Sequence, residues 1–159
     1  IILRIFMYES VRKFLQGGGL PGNLGEALET KMKQFEDKGD ARAIVILKSE
    51  SENPLSAILL KYLEGIEKCD IELEAQPNDL SALGSKTFML IDIGRYKEAL
   101  GCLNVLVKLQ PQEIEWWNKK GLALMLLKQP KEEALFCFKK ALEIDSTDQV
   151  ASSFGLEQT

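Results

Sequence analysis

Gly94-Arg95-Tyr96-Lys97-Glu98-Ala99-Leu100, with Cys102 two residues on, is written a second time as Gln129-Pro130-Lys131-Glu132-Glu133-Ala134-Leu135, with Cys137 in the same place. Working outward, Pro77 and Pro111 lie 34 residues apart and bracket the first of these copies. A period of about 34 residues made of two helical halves is the pattern of a stacked array of helix hairpins. Such an array builds extended surfaces, so the period points to binding before chemistry.

The hydrophobic spacing fills in the rest. From Asp79 the pattern predicts helices at 80–93, 96–109, 113–127 and 130–144, broken at Gly94 and Pro111. Thr147 or Asp148 is placed to cap a short last helix, with Val150 and Phe154 facing inward. Upstream, Asn23 is expected to cap a helix whose inner face is Leu24, Ala27, Leu28, Met32 and Phe35, stopped by Gly39. Residues 41–48 read as helix, since Ile44 to Leu47 has no second strand to pair with. Pro54 suits the first turn of a long helix running to Ala75, with Ile58, Leu59, Tyr62, Leu63, Ile66, Cys69 and Leu73 inward. Its outer side is acidic: Glu64, Glu67, Asp70, Glu72 and Glu74. Residues 1–16 make an amphipathic helix with a stripe of Leu3, Met7, Val11 and Phe14, tethered by Gly17-Gly18-Gly19-Leu20-Pro21-Gly22.

Composition narrows the function. The chain has 159 residues, 45% hydrophobic and 28% charged, with a net charge of −4. A net negative chain is a poor match for a nucleic-acid backbone. There is no histidine, which removes histidine acid–base catalysis, catalytic triads and histidine metal ligation. The three cysteines, Cys69, Cys102 and Cys137, form no Cys-x-x-Cys pair. Their spacings of 33 and 35 follow the repeat, so they read as one small apolar position recurring in successive second helices. Unpaired buried thiols suit a reducing compartment, and a cytoplasmic location is expected. No metal site and no cofactor are expected, nor is a membrane span. Residues 1–8 are very apolar but contain Arg4, end at Glu9 and lack a signal-peptide cleavage site. Opening on Ile1 leaves two readings: a start further upstream, or initiation at Met7 with residues 1–6 foreign.

The two units resemble the tetratricopeptide repeat. That family has a bulky residue early in the first helix, a small residue four later, then a large one, and an Ala, an aromatic and a second Ala in the second helix. The second unit reads Trp117, Gly121, Leu124, Ala134, Phe138, Ala141. It departs in Ser146, where proline is usual, and in one extra residue between its helices. The first unit reads Leu83, Thr87, Leu90, Ala99, Leu103, Leu106, Pro111, with size classes kept less strictly. The resemblance covers about residues 80–145. It implies an all-α chain of antiparallel helix-hairpin repeats stacked as a right-handed superhelix, with two clear repeats plus degenerate N-terminal helices. The expected organisation is an N-terminal helix and linker at 1–22, degenerate repeats at 23–79, two units at 80–113 and 114–145, and a capping helix and tail at 146–159. Two units alone bury too little, so the helices at 23–75 are expected to complete the stack.

By position, the family's concave groove would be lined by Ser81, Gly84, Phe88, Ile91 and Asp92 in the first unit, and by Glu115, Asn118, Leu122, Met125 and Leu126 in the second. Phe88, Ile91, Asp92, Glu115, Asn118, Leu122, Met125 and Leu126 are the expected partner-binding residues. Only Asn118 belongs to the set that family members use to grip a terminal carboxylate, and Asp92 and Glu115 would repel one. A mostly apolar groove with an acidic edge suits a protein or peptide partner, such as an amphipathic helix carrying basic residues. The same residues could instead be covered within the protein. A second reading is a homo-oligomer, such as a homodimer, in which residues 1–16 fill their own or a partner's groove. An RNA-binding helical repeat of the related 35-residue kind is disfavoured by the charge, and an enzyme by the missing nucleophile–base constellation. Trp116 and Trp117 point about 100° apart on a helix, so one can be core while the other is more exposed, and an exposed Trp116 would be a candidate binding anchor.

Overall fold

The structure is a computed structural model that describes residues 23–155. The expected helix at 1–16, its glycine-rich linker and the last four residues of the tail lie outside the described residues. Among those described there is no strand, and the elements are α1 (Leu24–Lys33), α2 (Asp40–Ser49), α3 (Pro54–Ala75), α4 (Leu80–Asp92), α5 (Tyr96–Leu109), α6 (Ile114–Leu126), α7 (Lys131–Ile144) and α8 (Gln149–Gly155). The chain is all-α, built of helix hairpins. It divides into two compact units at the junction of Arg95 and Tyr96, the first carrying α1–α4 and the second α5–α8.

The repeat is visible in the backbone. Each second helix is followed by the same turn: the amides of Asp79, Glu113 and Asp148 donate to the carbonyls of Gln76, Gln110 and Asp145, each at 3.1 Å. Each of these acidic residues then caps the next helix. Asp79 accepts from Ala82 N at 2.9 Å, and Asp148 from Ala151 N at 2.7 Å. Glu113 accepts more loosely from Glu115 N at 3.5 Å. A cap satisfies an amide that has no partner within the helix. The turns inside the hairpins match as well. Gly94 and Arg95 donate to Ile91 and Leu90, and Lys128 and Gln129 donate to Met125 and Leu124. This is the left-handed close of a helix, with φ at +80° for Gly94 and +54° for Lys128. The extra residue foreseen in the second hairpin is Pro130, which sits at the N-cap of α7.

In the second unit, α6 packs against α5 and α7, and α7 packs against α8. Gly121 is small for a visible reason: a Cβ there would lie 2.7 Å from the ring of Phe138. Phe138 is fully buried and stacks on Phe154 of α8 with ring centroids 6.1 Å apart. In the first unit, α3 packs against α2 and α4, and α1 touches α3 and α4. Gly65 of α3 makes room for Met89 of α4, whose sulfur would be 2.6 Å from an added Cβ. Residues 41–48 are helical as expected.

Three expectations need correction. Asn23 stands at the N-cap of α1 but its side chain makes no capping bond. Its ψ of 15° is not the extended backbone that Asn53, Asp79 and Glu113 adopt when they cap. Helix α1 also ends at Lys33 rather than running to Gly39. The chain tightens there into i−3 bonds, from Gln34, Phe35 and Glu36 to Lys31, Met32 and Lys33. Gly39, at φ +75°, instead opens α2. Finally, Trp116 is not an exposed anchor, since both tryptophans are buried. Helix α6 is flanked by α5 on one side and α7 on the other, so two directions 100° apart are both covered. Trp116 Nε1 donates to Gln110 Oε1 at 2.8 Å and Trp117 Nε1 to the Pro111 carbonyl at 2.9 Å, so each ring is also fixed by the preceding turn.

Candidate functional site

The face expected to bind is carried by α4 in one unit and α6 in the other, and each is described on its own. On α4, Phe88 is 41% exposed and Ile91 is 1% exposed. Asp92, half-buried, accepts a hydrogen bond from Tyr62 Oη at 2.9 Å. Burial first, and the Asp92 carboxylate second, push the Tyr62 phenol up to about 12. Asp92 is therefore engaged by α3 as well as facing outward.

On α6, Glu115 is exposed and Met125 half-buried, whereas Asn118, Leu122 and Leu126 are buried. Asn118 Nδ2 donates to Asp148 Oδ1 at 2.9 Å. A carboxylate only accepts, so this bond fixes which end of the amide is the nitrogen. Its Oδ1 is buried and has no hydrogen-bond partner among the described residues. Glu115 lies 3.5 Å from Lys119, a lysine whose side chain is almost fully buried.

Of the eight expected residues, Phe88 and Glu115 are open to solvent and Asp92 and Met125 partly so. The apolar floor foreseen at Ile91, Leu122 and Leu126 is already covered, as the alternative reading allowed. Sequence reasoning named Asp148 as a cap of the last helix but missed its bond to Asn118, and it missed the burial of Lys119. Asp148 holds the start of α8 and the side chain of Asn118 together. Its spacing of 34 to 35 residues in the series Asp79, Glu113, Asp148 was the available signal. Lys119 gave none, because a lysine on an otherwise polar stretch of helix reads as solvated.

The cysteines behave as repeat markers. All three are buried, and none is joined in a disulfide. Burial raises the Cys69 thiol, with Glu72 and Asp70 adding to it, and pushes Cys137 up to about 11. A raised pKa disfavours the thiolate at Cys69 and Cys137. Among the described residues no group of three or more metal-ligating side chains is placed to hold an ion. No described helix is long and apolar enough to cross a membrane. A shallow hollow of about 430 Å³ is lined by Asn23, Glu26, Ala27, Thr30, Lys31 and Gln34 with Leu55 of α3.

No family model matches the chain, and no curated protein matches its sequence. Solved structures do match its fold. One described as "MamA RS-1 ArsTM double mutant" superposes with a TM-score of 0.55 at 20% identity, covering 87% of each chain. Another, "MamA 41-end from Desulfovibrio magneticus RS-1", gives 0.54 at 21% identity and covers 95% of this chain and 85% of that one. At such identities the likeness concerns the fold. With the turns repeating at 34 and 35 residues, it makes this chain a tetratricopeptide-like helical repeat.

Proposed function

We propose that the chain is a tetratricopeptide-class interaction module of the cytoplasm, without catalytic activity or cofactor. It binds a protein or peptide through the first-helix faces of its hairpins. The observation that carries this reading is Phe88. A large aromatic side chain stands 41% exposed on a helix whose other inward residues are buried, with the Asp92 carboxylate one turn further on. Glu115 repeats the acidic character on α6. An aromatic anchor beside carboxylates fits an amphipathic helix that brings apolar side chains and lysines or arginines. It does not fit a free carboxylate or a nucleic-acid backbone. The buried thiols, none of them joined in a disulfide, accord with a reducing compartment.

The probe is a labelled amphipathic peptide of leucine and lysine, compared with its leucine and glutamate counterpart, followed by fluorescence anisotropy. The lysine peptide is expected to bind and the glutamate peptide not to. Phe88→Glu is expected to weaken the lysine peptide by roughly tenfold or more, the scale of a central anchor. Equal binding by wild type and Phe88→Glu would remove this face from consideration.

A further inference from the structure

Phe136 of α7 is 54% exposed, and the repeat does not call for it. The two copies related by 35 residues set Gly101, Asn104 and Val105 of α5 against Phe136, Lys139 and Lys140 of α7. Gly101 faces open space, with nothing within 4 Å of where its Cβ would stand. A side chain at this place is therefore not part of the packing that holds a hairpin together, and a phenylalanine there is surplus to the fold. The ring is nonetheless held in position. It meets the buried Trp117 of α6 edge-on, with centroids 6.1 Å apart and planes at 75°. Lys140 lies 5.7 Å from its centre, and Lys120 lies 5.8 Å from that of Trp117. An exposed ring fixed by its neighbours has little freedom left to lose on binding, which is what an anchor needs.

The charge around the ring is divided. Lys139, exposed, and Lys140 stand one turn beyond it along α7, whereas Glu132 and Glu133 stand one turn before it. Lys140 is paired with Glu143 at 2.7 Å. Neither Lys139 nor Lys120 has an ion-pair partner among the described residues. The repeat shows how Lys120 comes to lack one. Its counterpart 34 residues earlier, Lys86, pairs with Asp70, and 34 residues after Asp70 stands the neutral Asn104. The second copy thus gains a ring and two lysines, and a third lysine is left without its counter-charge.

We propose that this face is a second docking site, for an acidic segment of a protein partner that carries an aromatic residue at one end of its run of carboxylates. The aromatic seats on Phe136, where ring-on-ring contact favours it over an aliphatic anchor. The carboxylates lie toward Lys139 and Lys120, whose charges are unspent. Glu132 and Glu133 repel a segment that is acidic on both sides of its anchor, so they set the direction in which the partner lies. The chemistry is the reverse of that at Phe88, where carboxylates surround the exposed ring. One chain then holds two partners of opposite charge, each on its own face. A leucine–glutamate helix is not this ligand, since it has no ring and spreads its carboxylates along its whole length.

The probe is a labelled peptide with one tryptophan followed by a run of glutamates, read by fluorescence anisotropy on the full chain. Saturable binding is expected, weaker at high salt. Phe136→Ala should weaken it by roughly tenfold or more, and so should replacing the peptide's tryptophan by leucine. Lys139→Glu, at an exposed position that melting should not register, weakens it less and flattens the salt dependence. Glu132→Lys should strengthen it, an outcome that a merely structural role for this face would not produce. Phe88→Glu should leave this peptide unaffected, and Phe136→Ala should leave the leucine–lysine peptide unaffected, so the two faces stand or fall separately. No binding by wild type overturns the proposal, and co-sedimentation with phosphatidylglycerol vesicles in its place would assign the face to a lipid surface instead. Equal binding by wild type and Phe136→Ala also overturns it, as does a loss in Glu132→Lys.

Discussion

In the hairpin of α6 and α7, Gly121 gives up its side chain so that the ring of Phe138 can lie against the α6 backbone. In the helices α1 to α3 the corresponding junction is polar. Lys31 Nζ and Ser56 Oγ both donate to Glu50 Oε2, at 2.9 and 2.8 Å, so that one carboxylate ties three helices together. The same unit adds Arg95 to Asp40 at 2.8 Å, Tyr62 to Asp92, and Lys86 to Asp70. Matched small and large residues occur in both units, as Gly121 with Phe138 and Gly65 with Met89, and the first unit adds more side-chain hydrogen bonds and ion pairs at its helix junctions. The difference teaches why one half carries the repeat pattern in its sequence and the other does not. A small–large rule at fixed spacing recurs in the letters, whereas polar pairs between distant residues leave no period.

The largest effects should therefore fall on the packed crossing. Phe138→Ala removes a fully buried ring that touches both Gly121 and Phe154, and is expected to cost about 3–5 kcal/mol. Gly121→Leu overpacks the same place and should cost about 1–3 kcal/mol. Urea denaturation would measure both. A loss under 1 kcal/mol for Phe138→Ala would mean that the crossing does not define this unit.

The next effect compares the two inner turns. Gly94 holds a left-handed φ with the Glu29 side chain packed where a Cβ would go. Lys128 holds the same kind of φ with a side chain attached. Left-handed backbone costs an L-residue roughly 1–2 kcal/mol. Gly94→Ala is expected to destabilise by at least that much, and Lys128→Gly to stabilise by about 1 kcal/mol, part of the gain being lost to glycine's greater freedom when unfolded. Equal and opposite changes in melting temperature would confirm that the two turns are one device written twice. A destabilised Lys128→Gly would break that equivalence.

The sequence made the α4 to α7 boundaries readable because each is marked by a residue with a stereochemical job: Gly94, Pro111 and the acidic caps at 79, 113 and 148. The end of α1 was not readable, because Gln34 to Lys38 is ordinary helix-forming sequence. There the backbone tightens into i−3 bonds from Gln34, Phe35 and Glu36, with Phe35 still buried. The candidate site was legible only in part. Position within the repeat picked out Phe88 and Glu115, but nothing in the letters says that Ile91, Leu122 and Leu126 are covered. Burial depends on what packs above a face. Trp116 failed for the same reason: a helical wheel gives directions, and α6 has neighbours in both.

The smallest effect separates the units by pH. Hydrogen bonds from Lys31 and then Ser56 hold the Glu50 carboxyl below its ordinary value of 4.5. The Thr147 hydroxyl and then its amide hold Asp145 below 3.8. A carboxyl whose pKa is lowered on folding contributes stability that is present above its unfolded value and lost as pH falls through the folded one. Both contributions should therefore fade on acidification from about pH 5 downward. Their reach differs. Glu50 joins three helices, so Glu50→Gln should flatten the acid limb of stability in the first unit and lose its sensitivity to Lys31→Met. Asp145 bonds within its own turn, so Asp145→Asn should shift only the local amide exchange at Thr147. Identical acid slopes for Glu50→Gln and wild type would show that the first unit is not held by this junction.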